Sequence, residues 1–189
     1  EEYTRYYQEC MDRVKKIVTD MPEEKRAKIY HAILEPLKTD GPGSISAEWM
    51  NLAGIVNVST RERGIINDVE GFVNIEQVLL WNPDVIIVHE DSTMNTITGS
   101  KQWSTISAVK NKKVFRMPNG ISRWGHPGSI ETPLALLWAV KTIYPDRASS
   151  IDLEKETKDF YKRFFRYELS HEMAGDILRG KGMRKPKKE

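Results

Sequence analysis

The chain has 189 residues, 30% of them charged and 39% hydrophobic, with a formal net charge of +2. That length supplies one good core, or one domain with an accessory element, and no apolar run approaches the roughly 20 residues of a membrane span. Six basic residues and one acid lie between Arg179 and Glu189, which leaves 23 basic against 26 acidic residues in the body and no basic stripe for nucleic acid. Cys10 is the single cysteine, which excludes an internal disulfide and a cysteine-built metal site. The sequence begins Glu1-Glu2-Tyr3, as expected of the mature end of an exported protein or of a start inside a longer one.

Residues 3–19 read as a helix, with Tyr3, Tyr6, Tyr7, Cys10, Met11, Val14, Ile17 and Val18 recurring at three- and four-residue steps. The stripe is wide enough to expect a packing partner outside the chain. Ala27 to Leu34 is a strand candidate, followed by a permissive loop from Thr39 to Ser44. Ser46 is read as the cap of a short helix from Ala47 to Ala53, and Val56 to Val58 as a short strand. Residues 59–72 read as polar loop and Asn74 to Trp81 as a second short helix. Val85 to Val88, between Asn-Pro-Asp and a polar cluster, reads as a strand buried on both faces. Ligands of open α/β sheets bind beyond the carboxyl ends of strands, which singles out His89, Glu90 and Asp91.

Residues 92–108 read as a Ser/Thr-rich connection, partly helical near its end, and Val114 to Met117 as the next strand. Pro118 to Gly128 is a Gly/Pro-rich loop. Glu131 to Tyr144 is the strongest helix, with Pro133 tolerated in its first turn. Asp152 caps a helix through Phe165 and Ser170 caps a last one through Leu178. Strands alternating with helices give an α/β class: a three-layer sandwich with a mainly parallel sheet flanked by helices.

Several segments, in order, resemble a known family. Asn74-Ile75-Glu76-Gln77-Val78-Leu79-Leu80-Trp81-Asn82-Pro83-Asp84-Val85-Ile86-Ile87-Val88 is similar to the SLEQLLAWNPDVIIV signature of ABC-transporter substrate-binding proteins for iron chelates and cobalamin. Gly43-Ser44-Ile45, the run from Glu48 to Val58, Ala108 to Val114, Trp124 to Trp138 and Phe160 to Ser170 continue the likeness; Gly54-Ile55 departs from the family's Gly-Gly. The resemblance implies two α/β lobes joined by a long rigid helix, with ligand held between them. It assigns residues 1–20 to the end of that helix, 21–178 to the C-terminal ligand-binding lobe and 179–189 to a basic, disordered tail, the N-terminal lobe being absent. An exposed former interface at Tyr3 and Tyr7 follows from the same reading.

The function implied is the solute-binding component of an ABC importer, taking a ferric siderophore, haem or a related metal chelate to a membrane permease; the sequence does not choose among siderophore, haem, cobalamin and oxyanion. It works outside the cytoplasm, in a periplasm or as a membrane-anchored lipoprotein. No cofactor and no resident metal are expected; iron would arrive only inside a chelate. Trp124 could stack on a chelate, and His126, His89 and Asp91 could bond to one. Arg61 and Arg63 could meet an anion with forked hydrogen bonds, and Ser44 sits in a Gly-Pro-Gly-Ser loop resembling an anion nest. Glu131 is the expected surface carboxylate for docking on the permease. The alternatives are a chelatase-like or nitrogenase-like enzyme domain, for which no catalytic set is found by spacing, and a ligand-sensing domain of the same fold.

Overall fold

A computed structural model describes residues 1–61 and 64–183. The chain divides into two compact units: residues 15–116, and residues 1–14 together with those from 117 onward. The first helix, α1 (Glu2–Val18), contributes to both. Glu2 in its first turn and Lys15 and Lys16 in its last complement the helix dipole.

The unit of residues 15–116 is built on parallel strands. In chain order it contains β1 (Lys28–Ala32), β2 (Lys38–Asp40), α2 (Ile45–Leu52), β3 (Val56–Asn57), α3 (Val58–Arg61), β4 (Glu70–Phe72), α4 (Ile75–Trp81), β5 (Val85–Val88), α5 (Asp91–Gly99), α6 (Ser107–Lys110) and β6 (Val114–Arg116). Four strands form one parallel sheet in the order β3-β1-β5-β6. All four residues of β5 are buried, as a central strand covered on both faces requires. Alternation sends Tyr30, Ala32, Ile86 and Val88 into a core with Val78, Trp81, Ile97, Trp103 and Ile106. Tyr30 sits 6.2 Å from the Trp81 ring and 6.0 Å from that of Trp103. Ile29, His31 and Ile87 take the opposite face, because His31 is in register with Ile87.

Several expectations for this unit are corrected. The loops assigned to Thr39–Ser44 and 59–72 contain β2 and β4, which pair antiparallel as a second sheet. Each is three residues long with at most one apolar side chain, so no period-two signal marks it. The Ser/Thr-rich stretch after β5 folds as α5, where Thr93 and Ile97, four residues apart, are both buried. Ser44 rather than Ser46 caps α2, its hydroxyl accepting from Ala47 N at 3.0 Å. Ile55 is only 3% exposed and its amide donates to the Met50 carbonyl at 3.0 Å.

The second unit holds α7 (Thr132–Ile143), α8 (Leu153–Phe165) and α9 (His171–Leu178). Residues Thr132 to Val140 are all buried, so α7 is covered all round rather than along one face. Asp152 and Ser170 cap the last two helices, accepting from Lys155 N and Met173 N at 3.1 Å each. The wide stripe of α1 has its partner inside the chain: Tyr3 meets Phe164 at 5.7 Å and Tyr6 meets Phe160 at 5.5 Å. Arg13 pairs with Glu156 at 2.6 Å and Glu2 with Arg163 at 2.7 Å. Tyr3 also donates to the Ile130 carbonyl, which uses the residue expected to lie on an open interface. Residues 179–183 are built into this unit rather than trailing from it. Lys181 N donates to the Asp176 carbonyl at 2.9 Å and Met183 N to that of Gly120 at 3.3 Å.

Candidate functional site

Within residues 15–116, polar groups gather at the carboxyl ends of the parallel strands. His31, one residue before the end of β1, and His89, immediately after β5, bring their Nε2 atoms to 2.7 Å. His31 is 2% exposed and His89 7%. The other His31 nitrogen, Nδ1, lies 2.7 Å from Asp40 Oδ2 at the end of β2. Asn57, at the end of β3, donates its amide to the same Asp40 oxygen at 2.9 Å. Ser59 donates to Asn57 Oδ1 through its hydroxyl at 2.8 Å and its amide at 3.2 Å, and Thr39 donates to Ser59 at 3.1 Å.

The proton inventory of this chain follows from its ends. Asp40, as a carboxylate, only accepts, so His31 carries its proton on Nδ1. Each link spans two different elements, so the network ties β1, β2, β3 and the end of β5 together. Asp91, first residue of α5, pairs with Arg116 at 2.5 Å, and Arg116 Nε donates to the His89 carbonyl at 3.3 Å. Among the described residues no three of His, Cys, Asp and Glu converge as a metal site.

In the other unit the loop after β6 is organised around Glu131. This residue is fully buried, and its carboxylate accepts from Ser122 N at 2.8 Å, Ser122 Oγ at 3.0 Å, Trp124 Nε1 at 3.1 Å and the Tyr161 hydroxyl. Burial first, and then the Glu131 charge, push the Tyr161 phenol upward, which keeps it a donor. Gly120 is obligatory beside this cluster, since a Cβ there would overlap both Glu131 Oε1 and the Tyr161 oxygen. His126 is exposed at the loop's far side, its Nδ1 2.8 Å from the Pro127 carbonyl. The loop borders an open cavity of 390 Å³ whose wall also includes Asn119, Arg123 and Lys181.

The sequence-predicted residues therefore fare differently. His89 and Asp91 do lie at the strand ends, but His89 is absorbed into the buried network and Asp91 into an ion pair. Trp124 is buried as an internal donor to Glu131, so it presents no face on which a ligand could stack. Glu131 is corrected too: a carboxylate with no exposure and four donors is not a surface offered to arginines. Ser44 spends its hydroxyl on the α2 cap. Arg61 is paired with Glu23 at 2.6 Å, both largely exposed, and Arg63 lies outside the described residues. Of these residues, His126 lines the 390 Å³ cavity, and Arg61 borders a separate 410 Å³ hollow with Glu23, Glu48 and Arg26.

Asp40, Asn57 and Ser59 were missed because each is a short polar residue that reads equally well as a turn former. His31 carried a usable signal, as a titratable side chain in the middle of an apolar strand pattern.

Comparison with known proteins gives a consistent set of likenesses. A family model described as periplasmic binding protein matches residues 1–120. The molybdate-binding protein MolA of Haemophilus influenzae is 35% identical over 151 residues, covering 78% of this chain and 41% of that protein. Its solved structure with molybdate aligns over 89% of this chain and 51% of the other at 31% identity and a TM-score of 0.78. An ABC transporter solute binding protein from Sulfurospirillum deleyianum aligns at 31% identity and a TM-score of 0.82, covering 94% of this chain and 55% of that one. A periplasmic solute binding protein from Veillonella parvula gives 26% identity and the same TM-score of 0.82, covering 94% and 54%. The chain thus spans about half the length of the relatives it matches.

Proposed function

The chain belongs to the periplasmic binding protein family, and on that premise we propose that it forms one ligand-binding lobe of an ABC importer's solute-binding component. The observation that carries this reading is the likeness to solute-binding proteins across nearly the whole chain, in sequence as well as in fold. Its task is binding, not chemistry: a solute is held between this lobe and a second one, and the closed form is handed to a permease from outside the cytoplasm. Among the described residues no helix is long and apolar enough to cross a membrane.

For the ligand, the molybdate-binding relative favours a small oxyanion of the molybdate class. An anionic metal chelate such as a ferric siderophore is the second reading, favoured by the signature around Val85–Val88. The test is a thermal-melt screen of the protein with both lobes against molybdate, ferric siderophores, haem and cobalamin. A ligand at 100 times its Kd stabilises the native state by about 2.7 kcal/mol, enough to raise the melting temperature by a few degrees. The oxyanion reading expects that rise with molybdate. A rise with a ferric chelate alone would transfer the assignment to the second reading.

A further inference from the structure

We infer that the His31–His89 contact is a proton-sensitive latch between β1 and the start of α5, closed with one proton between the two rings and opened when both rings are protonated. The inference goes beyond the solute-binding reading and holds for any solute.

The register of the sheet creates the contact. His31 lies opposite Ile87 in the parallel pairing of β1 with β5, and His89 is two residues further on, so both side chains leave the same face. The rings are tilted by 54° with centroids 4.8 Å apart, and they meet through their Nε2 atoms at 2.7 Å. Nitrogens at that distance are joined by one hydrogen, whichever ring donates it. Two do not fit, because a pair of imidazolium rings has donors on both sides and no lone pair to accept. Asp40 Oδ2 holds His31 from behind, 2.7 Å from its Nδ1, and Asn57 fixes that oxygen in turn at 2.9 Å. His31 therefore keeps its orientation, and release falls on His89.

The surrounding charges act in the same direction. Asp40, from β2, is the carboxylate of the network and balances one added proton. Arg116, from β6, reaches the His89 carbonyl at 3.3 Å, a fixed positive charge that opposes a second. Asp91, which opens α5, is engaged by Arg116 at 2.5 Å, and Glu90 stands between it and His89 in the chain. From α3 come Ser59, which does not titrate in this range, and Arg61, paired with Glu23 at 2.6 Å. Thr93 of α5 also donates to the carbonyl of Leu34, in the turn after β1, where Leu34 holds a φ of +64°. That tie carries no titrating group, so acid loosens the junction at His89 and leaves Thr93 in place.

The sign of the pH effect follows from proton counts. In the unfolded chain both rings take a proton below the ordinary imidazole value of about 6.5, whereas the folded pair takes one while the latch is shut. The stability that the latch contributes is complete above that pH and falls on acidification, by up to about ten-fold in the folding constant for each pH unit.

The experiment is imidazole NMR on the 189-residue chain from about pH 8 to about pH 4.5, which brackets that value, with amide spectra recorded at the same points. His31 and His89 should titrate in two separated steps shared by both rings, the second accompanied by amide shifts at His89–Asp91. His126 and His171, both exposed, should each titrate in one step and serve as internal controls. His89→Gln keeps a side chain that donates and accepts but takes up no proton. It should turn the His31 titration into a single step and remove the acid-side loss of stability, read as thermal midpoints. Independent single-step titration of His31 and His89, or an acid-side loss that persists unchanged in His89→Gln, would overturn the inference. The wild-type titration decides by itself if the variant does not fold, since coupled steps support the latch and independent ones refute it.

Discussion

At the scale of single residues, the main lesson is that burial reassigns roles. Glu131 and Trp124 were legible as a pair of functional types in one loop, yet they satisfy each other inside the fold. Sequence spacing shows that two such residues are near, not which way they turn. Glu131→Ala would strand the Ser122 amide, the Trp124 indole and the Tyr161 hydroxyl, each buried donor costing about 1–3 kcal/mol. A loss of at least about 3 kcal/mol in denaturant unfolding is the expected result. A loss near zero would mean that the loop holds without its acceptor. Cys10 makes a second residue-scale prediction. Burial pushes its thiol from 9.0 to about 11 despite a hydrogen bond with Tyr6 that acts the other way. The folded state therefore prefers the protonated thiol, and its contribution, complete below the unfolded value, is lost as pH rises from 9.0 towards about 11. Wild type should lose more stability across that window than Cys10→Ala, measured as thermal midpoints; parallel curves would contradict it.

At the scale of elements, legibility followed the strength of local signals. β5 was readable residue by residue, because four branched apolar residues sit between turn formers. The caps at Asp152 and Ser170 were readable for the same local reason, each side chain accepting from an amide three residues on. β2, β4 and α5 were not readable. Their stability comes from partners distant in sequence, as in the Thr39–Gly71 register and the bond from Thr93 to the Leu34 carbonyl. The His31–Asp40–Asn57 network shares that property, since its members meet only once β1, β2 and β3 are assembled. One element carries a clean test. Asn74 Oδ1 accepts from Gln77 N at 2.8 Å at the start of α4. Asn74→Ala should cost about 1 kcal/mol by equilibrium unfolding. A change within experimental scatter would mean that α4 is held by Val78 and Trp81 packing alone.

At the scale of the whole molecule, the chain spans about half the length of its relatives, and the account depends on what it does with a second lobe. Sequence resemblance read the family correctly, because the signature segments lie in the elements that build the sheet. The ligand was not legible in the same way, because loops at strand ends are where chemistry is free to vary. Among the described residues, the histidine–carboxylate network at the strand ends is buried. The most direct test is a calorimetric titration of the two-lobed protein with molybdate, beside a ferric siderophore under the same conditions. The account predicts saturable one-to-one binding of molybdate. Absence of heat and of saturation with every solute, in protein that melts cooperatively, would contradict a solute-binding function.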